Sequence, residues 1–428
     1  MLRRMHTVTM RVRTAIAAVV VLVCLAGAAA FGLAGTGGVE SGGIDNGTLD
    51  ERWVSDPRAA LESNHHTPAV AFVDGESFVA VPINSRQGKT CVLSVLDGNG
   101  SERWRQTISS KACTVHSVSD PTIADFDGDS EQEVIAATST EEIVTYDLRS
   151  GREEFRHDLT SYGYSKPLVA DLRPAPGNET VVTDLLGGMF VFRQNGSVAW
   201  RQKFDDARVR QPAIADFDAD GQPEIAIGQL SGEAIVLERN GSVAWRKPLP
   251  NATSVKWMAT GQADDDDPVE LVFATFFGEV MALDGRNGSV EWRQNFSARG
   301  ATVHTLGDGD NDGQSEIYVG ARDGKLRSLN AANGSVEWTT TLTTENVLVM
   351  PPLSLGDLDG NGDPELVAVA GNGLITVVDP TTGEIVDLYK REVRINTFPR
   401  LADADGDGHG EIFVIYGDGR VVALSYIP

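Results

Sequence analysis

The chain has 428 residues, a formal net charge of −25 and a sequence pI of about 4.6. So acidic a surface repels phosphate backbones, which argues against nucleic acid as a partner. Eight of its 36 basic residues are lysines. An acidic surface poor in lysine resembles that of proteins working in concentrated salt, and an ordinary acidic secreted protein is the alternative.

The N-terminal region has the pattern of a membrane anchor. Residues 1–14 carry four arginines and no acid, and residues 15–35 carry no charge. Twenty-one uncharged residues would span about 31 Å as a helix, enough to cross a bilayer. The arginines would keep residues 1–14 in the cytoplasm and place the rest outside the cell. We predict a single-pass anchor followed by a flexible linker over residues 36–45; a cleaved signal, which would release the protein, is the alternative.

An acidic nine-residue loop recurs along the rest of the chain. In one copy, Asp216, Asp218, Asp220 and Glu224 occupy positions 1, 3, 5 and 9, and Gly221 permits the tight turn. Ca²⁺ takes about six to eight oxygen ligands on such a curved backbone. The other predicted calcium ligands are Asp125, Asp127, Asp129 and Glu133; Asp308, Asp310, Asp312 and Glu316; Asp357, Asp359, Asn361 and Glu365; and Asp403, Asp405, Asp407 and Glu411.

Two further copies of the loop have lost ligands. The copy at residues 262–270 begins with Gln262, and the copy at residues 171–179 keeps only its first and last acids. The closing glutamates of the seven copies are 46, 45, 46, 46, 49 and 46 residues apart. A period of this size, filled with short strands, is typical of β-propeller blades. Recurrence in phase excludes chance clustering of acids as the source of the repeat.

The repeat at residues 212–245 predicts four strands per blade. Its strands are Pro212–Ala215, Glu224–Gly228, Glu233–Glu238 and Ser242–Trp245, with an Asn240-Gly241 turn before the last. Predicted blades begin near Pro68, Pro121, Pro167, Pro212, Val255, Val303, Pro352 and Pro399. The last repeat lacks a fourth strand, and residues 46–53 have the pattern of one. We therefore predict an all-β, eight-bladed propeller over residues 46–428, closed by its N-terminal strand.

Two families resemble this chain. Residues 283–292 and 329–338 are similar to the tryptophan-docking repeat of pyrroloquinoline-quinone-like propellers, and the acidic loops are similar to those of the FG-GAP family, which includes integrin α chains. The resemblance implies that tryptophans wedge between blades; the matching residues are Trp53, Trp104, Trp200, Trp245, Trp292 and Trp338, with Phe155 in one blade. It implies fold more than function, because these families include enzymes, assembly scaffolds and adhesins.

Signals for catalysis are weak. The chain has no adjacent cysteine pair, which a quinone dehydrogenase of this resemblance usually carries, and no Gly-x-Ser-x-Gly or Walker motif. Its histidines lack metal-binding spacing, and His65-His66 is expected to be a solvated pair. The favoured function is a binding, scaffold or adhesion module. A secreted polysaccharide lyase, which a cleft of paired carboxylates would favour, and a quinone-dependent oxidoreductase are the alternatives.

Export to the cell surface permits two modifications. Cys91 and Cys113 are expected on one face of the first blade and are predicted to form a disulfide, with two buried free thiols as the alternative. Nine Asn-x-Ser/Thr sequons predict glycosylation. Most of these asparagines belong to Asn-Gly pairs that the hairpin turns already require, so the number of sequons overstates the extent of glycosylation.

The scarce cations suggest a ligand face. In a four-stranded blade, the connections between blades lie on the face opposite the acidic loops. Those connections carry the predicted ligand residues Arg208, Arg210, Lys256, Trp257, Arg299, Arg391 and Arg394. Arginines suit carboxylate and sulfate groups, which predicts a protein or acidic polysaccharide partner there. Neutralisation of neighbouring acids is the alternative role for these cations.

Overall fold

The computed structural model describes residues 48–58, 64–84, 91–108, 113, 116–173, 177–204, 211–249, 255–264, 266–345 and 347–427. The predicted cytoplasmic segment, anchor and linker, residues 1–14, 15–35 and 36–45, lie outside these ranges. Within them, no helix is long and apolar enough to cross a membrane.

The described residues form eight four-stranded antiparallel sheets, which confirms the predicted eight-bladed propeller. The first four blades are β2 (Ala69–Val73), β3 (Glu76–Ile83), β4 (Val92–Leu96) and β5 (Glu102–Thr107); β6 (Thr122–Ala124), β7 (Glu133–Ala137), β8 (Glu142–Asp147) and β9 (Glu153–Asp158); β10 (Leu168–Ala170), β11 (Glu179–Thr183), β12 (Gly188–Arg193) and β13 (Val198–Lys203); and β14 (Ala213–Ala215), β15 (Glu224–Gly228), β16 (Glu233–Leu237) and β17 (Val243–Pro248).

The remaining blades follow in chain order. They are β18 (Val255–Gly261), β19 (Glu270–Thr275), β20 (Glu279–Leu283) and β21 (Val290–Asn295); β22 (Leu306–Gly307), β23 (Glu316–Gly320), β24 (Lys325–Asn330) and β25 (Val336–Thr341); β26 (Ser354–Gly356), β27 (Glu365–Ala370), β28 (Leu374–Val378) and β29 (Ile385–Lys390); and β30 (Arg400–Ala402), β31 (Glu411–Ile415) and β32 (Val421–Ile427), completed by β1 (Thr48–Val54).

The hydrophobic core lies between neighbouring blades. Second strands such as β15 are buried along their length and apolar after their closing glutamate, whereas outer strands such as β17 are largely exposed. Residues on both faces of the second and third strands are buried because each sheet is covered by a blade on either side. One core cluster, for example, joins Val272 and Ala282 of the fifth blade to Ile317 and Leu329 of the sixth.

The N-terminal strand closes the ring, as predicted. Strand β1 pairs antiparallel with β32, from Thr48 opposite Ile427 to Val54 opposite Val422. The innermost strands β2 and β30 are also in contact, so the first and last blades are neighbours. The outer edge of β32, which would otherwise be open, is thereby covered.

The predicted docking tryptophans lie between blades. The indole N–H of Trp292 donates to the Ala331 carbonyl of the next blade at 2.6 Å, and Trp53, Trp104, Trp200, Trp245 and Trp338 make the same kind of bond at 2.7–2.8 Å. Each ring also covers a turn glycine of the next blade. A Cβ on Gly334 would lie 2.4 Å from a ring carbon of Trp292, so glycine is required there for close packing as well as for its φ of +70°.

Two local predictions concern covalent chemistry. Cys91 and Cys113 form the predicted disulfide, with Cα atoms 5.3 Å apart. The sequon asparagine Asn240 accepts a hydrogen bond from the Ser242 backbone N–H at 2.8 Å. This side chain therefore shapes the hairpin turn, and glycosylation stays a prediction.

Candidate functional site

The acidic loops share one construction, set by the closing glutamate at the start of the second strand. In the fourth blade, Glu224 is buried and accepts the Phe217 backbone N–H at 2.9 Å. Glu133, Glu316 and Glu365 accept the equivalent N–H at 2.6–2.8 Å. One carboxylate oxygen thus fixes the loop, and the other is left for a further partner.

Carboxylates converge in these loops. Asp216, Asp218 and Glu224 each place one oxygen within 4.8 Å of the others, as do the matching acids in the second, fifth and sixth blades. Glu270 Oε1 and Asp308 Oδ1 are buried and have no hydrogen-bond partner in the part of the chain that the structure describes. Burial and the neighbouring aspartates raise the pKa of Glu133, Glu224, Glu316 and Glu365 to about 7, and of Glu270 to about 8. Such a donor set of oxygens fits a hard cation.

In two of these loops an arginine side chain, rather than a metal ion, can compensate the charge of the acids. In the third blade, where the acidic set is incomplete, the Arg173 guanidinium pairs with Glu179. In the eighth blade, Arg52 from β1 bonds both Asp405 and Glu411 at 2.5 Å. Two of the four predicted ligands of this loop are therefore already paired with an arginine, whereas no described arginine or lysine forms an ion pair with the predicted ligands of the second, fourth, sixth and seventh blades.

A central chamber opens on the opposite face of the ring. Its volume is about 630 Å³, and residues of all eight blades line it, mostly at or just before the start of the innermost strands. The acidic loops follow the ends of those same strands, so the chamber and the acidic loops lie on opposite faces of the ring. Asp120 is the single carboxylate among the described lining residues. The paired carboxylates expected of the carbohydrate enzyme do not occur among them.

The chamber concentrates positive charge. Lys166, Lys256, Arg322 and Arg400 all line it, against one acid. Burial, reinforced by the charge of Arg400, lowers the pKa of Lys166 to about 8, and burial likewise lowers the pKa of Arg400. Neither Lys166 nor Arg400 forms an ion pair with another described residue. The nearby Asp120 carboxylate offsets part of their charge, but two desolvated cations that share one acid are costly for a protein to maintain.

Aromatic rings complete the chamber wall. Lys256 and Arg322 both lie over the Phe276 ring, at 5.6 and 5.0 Å from its centroid. Phe398 contacts Trp257 and His304, with ring centroids 6.3 and 4.5 Å apart. Burial and the charges of Arg400 and Lys166 lower the pKa of His304 to about 4, so this ring is neutral at pH 7. The site thus offers fixed cations on apolar, stacked walls.

The predicted ligand-face residues are distributed among several environments. Lys256 and Trp257 line the chamber. Arg391 pairs with Asp418 at 3.2 Å and covers the Tyr416 ring, while Arg299 and Arg394 are exposed and outside the chamber lining. Arg208 and Arg210 lie outside the described residues. Arg400, Arg322 and His304 were not predicted from the sequence. Their common signal is their place at the entrance to an innermost strand or in a turn beside it.

The histidines differ from the sequence-based expectation. His65 and His66 were expected to be a solvated pair, but the fold brings them to the chamber beside His116 of the next blade. His66 is only 5% exposed. Spacing along the chain did not reveal this cluster, because its members come from two blade entrances 50 residues apart (116 minus 66).

Comparison with known proteins identifies the fold family. The profile described as outer membrane protein assembly factor BamB matches residues 89–265 and 263–426, which is most of the chain. The chain belongs to the BamB-like family of PQQ-like propellers. No curated protein sequence matches it.

Solved structures share the architecture of this BamB-like chain. BamB from Moraxella catarrhalis is 14% identical with a TM-score of 0.58, covering 88% of this chain and 99% of its own. The designed protein Ika8 is 14% identical with a TM-score of 0.61, covering 86% and 98%. BBS1N in complex with ARL6DN is 12% identical with a TM-score of 0.54, covering 72% and 91%. At such identities the likeness shows the fold alone.

Proposed function

We propose that this BamB-like propeller is an extracellular scaffold, anchored by residues 15–35, that holds a partner protein through an acidic segment in its central chamber. The observation that carries the proposal is that Lys166 and Arg400, half-buried in the chamber of a chain with net charge −25, form no ion pair with a described residue. An entering carboxylate would add to the partial charge compensation that Asp120 gives these two groups.

The chamber walls suit a peptide better than a bare ion. A volume of about 630 Å³ accommodates a few side chains, and Trp257, Phe276 and Phe398 offer apolar surface beside the cations. The structures of BBS1N with ARL6DN and the description of BamB as an assembly factor favour a protein partner. Acidic polysaccharide shares the carboxylate chemistry and is an outcome that the experiment below distinguishes.

The proposal includes calcium on the opposite face. The oxygen sets of the second, fourth, sixth and seventh blades would each hold one Ca²⁺ and tie the loop to the second strand. In the eighth blade the Arg52 guanidinium already contacts Asp405 and Glu411, so we include no ion there. The ions would rigidify one face, and the chamber on the other would remain the recognition surface.

The test compares two anionic probes on the full chain at one salt concentration in millimolar Ca²⁺. A labelled glutamate-rich peptide and an oligoglucuronate are titrated against the wild type, Lys166→Glu and Arg400→Glu. Each reversal should weaken binding of the peptide at least tenfold. Arg201→Glu, an exposed arginine on β13, makes the same change of charge outside the chamber and should bind as the wild type does.

Two results would contradict the proposal. The first is peptide binding that survives both reversals, or that falls equally in Arg201→Glu, because the chamber is then not the site. The second is tight binding of oligoglucuronate with none of the peptide, which would replace the protein partner by a polysaccharide. A single cooperative melting transition of each variant in Ca²⁺ establishes that it folds.

A further inference from the structure

Three histidines of the first two blades meet beside the chamber. His65 Nε2 and His116 Nδ1 are 2.9 Å apart, and the ring centroids of His65 and His66 are 4.6 Å apart. One ring nitrogen from each of the three lies within 4.8 Å of the other two. Around a tetrahedral ion with bonds of about 2.05 Å, ligand nitrogens are about 3.3 Å apart, so small side-chain movements would seat an ion.

His66 supplies a second, independent observation. Its Nδ1 is 2.7 Å from Asp120 Oδ1, while its Nε2 is buried and has no hydrogen-bond partner among the described residues. A buried imidazole nitrogen left without a partner is destabilising, and in native proteins it calls for an unseen ligand. Metal-binding histidines typically donate their other N–H to a carboxylate, which is the bond that His66 makes with Asp120.

We infer that His65, His66 and His116 bind one divalent ion of the zinc class at the chamber wall. Imidazole nitrogens suit Zn²⁺ and its neighbours among the transition metals, whereas Ca²⁺ takes oxygen ligands, so this site differs chemically from the acidic loops. Asp120 positions the His66 ring and holds the proton on Nδ1. Three protein ligands leave a fourth coordination position open.

The open position gives the ion a role in recognition. His65 and His66 line the same chamber as Lys166 and Arg400, so an oxygen of an anionic ligand in the chamber can take the fourth position. This last step rests on the proposed function, whereas the metal site does not. The ion would add two positive charges to the chamber and strengthen anion binding.

The experiment uses Co²⁺ as a visible probe and Zn²⁺ as its competitor. The full chain is treated with chelator, transferred to excess Ca²⁺ to occupy the acidic loops, and titrated with Co²⁺. We expect one Co²⁺ per chain, with the intense visible absorption of a four-coordinate site, displaced by one equivalent of Zn²⁺. His66→Ala should lower the affinity at least 100-fold, and Asp120→Asn by about 10- to 100-fold.

The control is His157→Gln, a histidine on β9 outside the cluster, which should titrate as the wild type does. If His66→Ala lowers the melting temperature, His65→Gln and His116→Gln serve as further ligand variants, and each should also lower the Co²⁺ affinity. An absent visible band at one equivalent, or wild-type affinity in His66→Ala, would overturn the inference. Loss of the metal in His66→Ala with acidic-peptide binding intact would overturn the ion's role in recognition, and it would leave the metal site and the proposed function standing.

Discussion

Asp387, on β29 of the seventh blade, accepts a hydrogen bond from the backbone N–H of Leu49, on the strand that closes the eighth blade. Asp387 lies opposite Val377, the register position that a tryptophan occupies opposite Val191 or Val236 in other blades. The eighth blade has no hairpin before its fourth strand, since that strand comes from the N-terminus. A docking tryptophan would find no hairpin carbonyl there, and a carboxylate instead holds the closing strand.

The first prediction concerns this seam. Asp387→Ala should lower the free energy of unfolding by about 1–2 kcal/mol, because a charged hydrogen bond to the backbone is lost. Asp387→Trp, which restores the repeat pattern, should also destabilise. Denaturant unfolding of the full chain measures both, with Asp158→Ala, an exposed aspartate on β9, as control. A stabilising Asp387→Trp would contradict this account of ring closure.

The second prediction concerns tryptophan docking. Trp292→Ala should cost about 3–5 kcal/mol, and Gly334→Ala about 2–3 kcal/mol, since the new Cβ would clash with the Trp292 ring. In the Trp292→Ala background, Gly334→Ala should cost only the backbone strain of about 1 kcal/mol. Gly313→Ala, also at positive φ but with open space around its Cβ, measures that strain alone. Additive costs in the double-mutant cycle would refute the contact.

The third prediction is that Ca²⁺ stabilises the ring, because a ligand bound only by the native state raises the free energy of unfolding. Millimolar Ca²⁺ should raise the melting temperature over that in chelator at fixed salt. Asp216→Asn with Asp218→Asn should reduce this increase. Asp403→Asn with Asp407→Asn, in the loop that Arg52 occupies, should leave it unchanged. An equal melting temperature in Ca²⁺ and in chelator would contradict Ca²⁺ binding by the acidic loops.

The fourth prediction follows from the pKa of Lys166, which is lowered in the folded protein from 10.5 to about 8. Between these pH values the unfolded chain carries the extra proton, so the Lys166 contribution to the free energy of unfolding rises with pH across this range. Below pH 8 the charged side chain destabilises the fold. Lys166→Met should therefore stabilise the protein at pH 7, by about 2 kcal/mol after allowing for partial exposure.

The measurement is denaturant unfolding at pH 7 and pH 10, with exposed Lys247→Met as the matched control. The gain in the free energy of unfolding from Lys166→Met should be smaller at pH 10, where Lys166 is neutral in the folded protein. If this gain is the same at both pH values, or the same in Lys247→Met, desolvation of the Lys166 charge is not the cause of the stabilisation.

Much of the ring was predictable because it repeats. The regular spacing of the closing glutamates marks seven of the eight blades, and the likeness of residues 46–53 to other fourth strands predicts how the ring closes. The Asn-Gly turns and the aligned tryptophans are local signals, each readable within one repeat. The disulfide was predictable because the third strand of a blade, which Cys91 directly precedes, begins on the same face as the connection leading out of that blade, where Cys113 lies.

The chamber was not predictable to the same degree. Its residues come one or two at a time from eight blade entrances, so no local pattern joins Lys166 to Arg400 or His66 to His116. Charge counting along the connections found Lys256, but it gave equal weight to Arg391, which Asp418 neutralises. The contact of Arg52 with the acids of the last loop was also not predictable, because it forms only when β1 closes the ring.

The most direct test of the central claim is site-resolved lysine labelling with an amine-reactive reagent at pH 8, with and without the glutamate-rich peptide. The lowered pKa of Lys166 makes its amine reactive at this pH. If the acidic segment enters the chamber, the peptide should slow labelling of Lys166 and Lys256 severalfold and leave exposed Lys247 unchanged. Mass spectrometry reads all three sites in one sample. Peptide binding that leaves Lys166 labelling unchanged would contradict the claim.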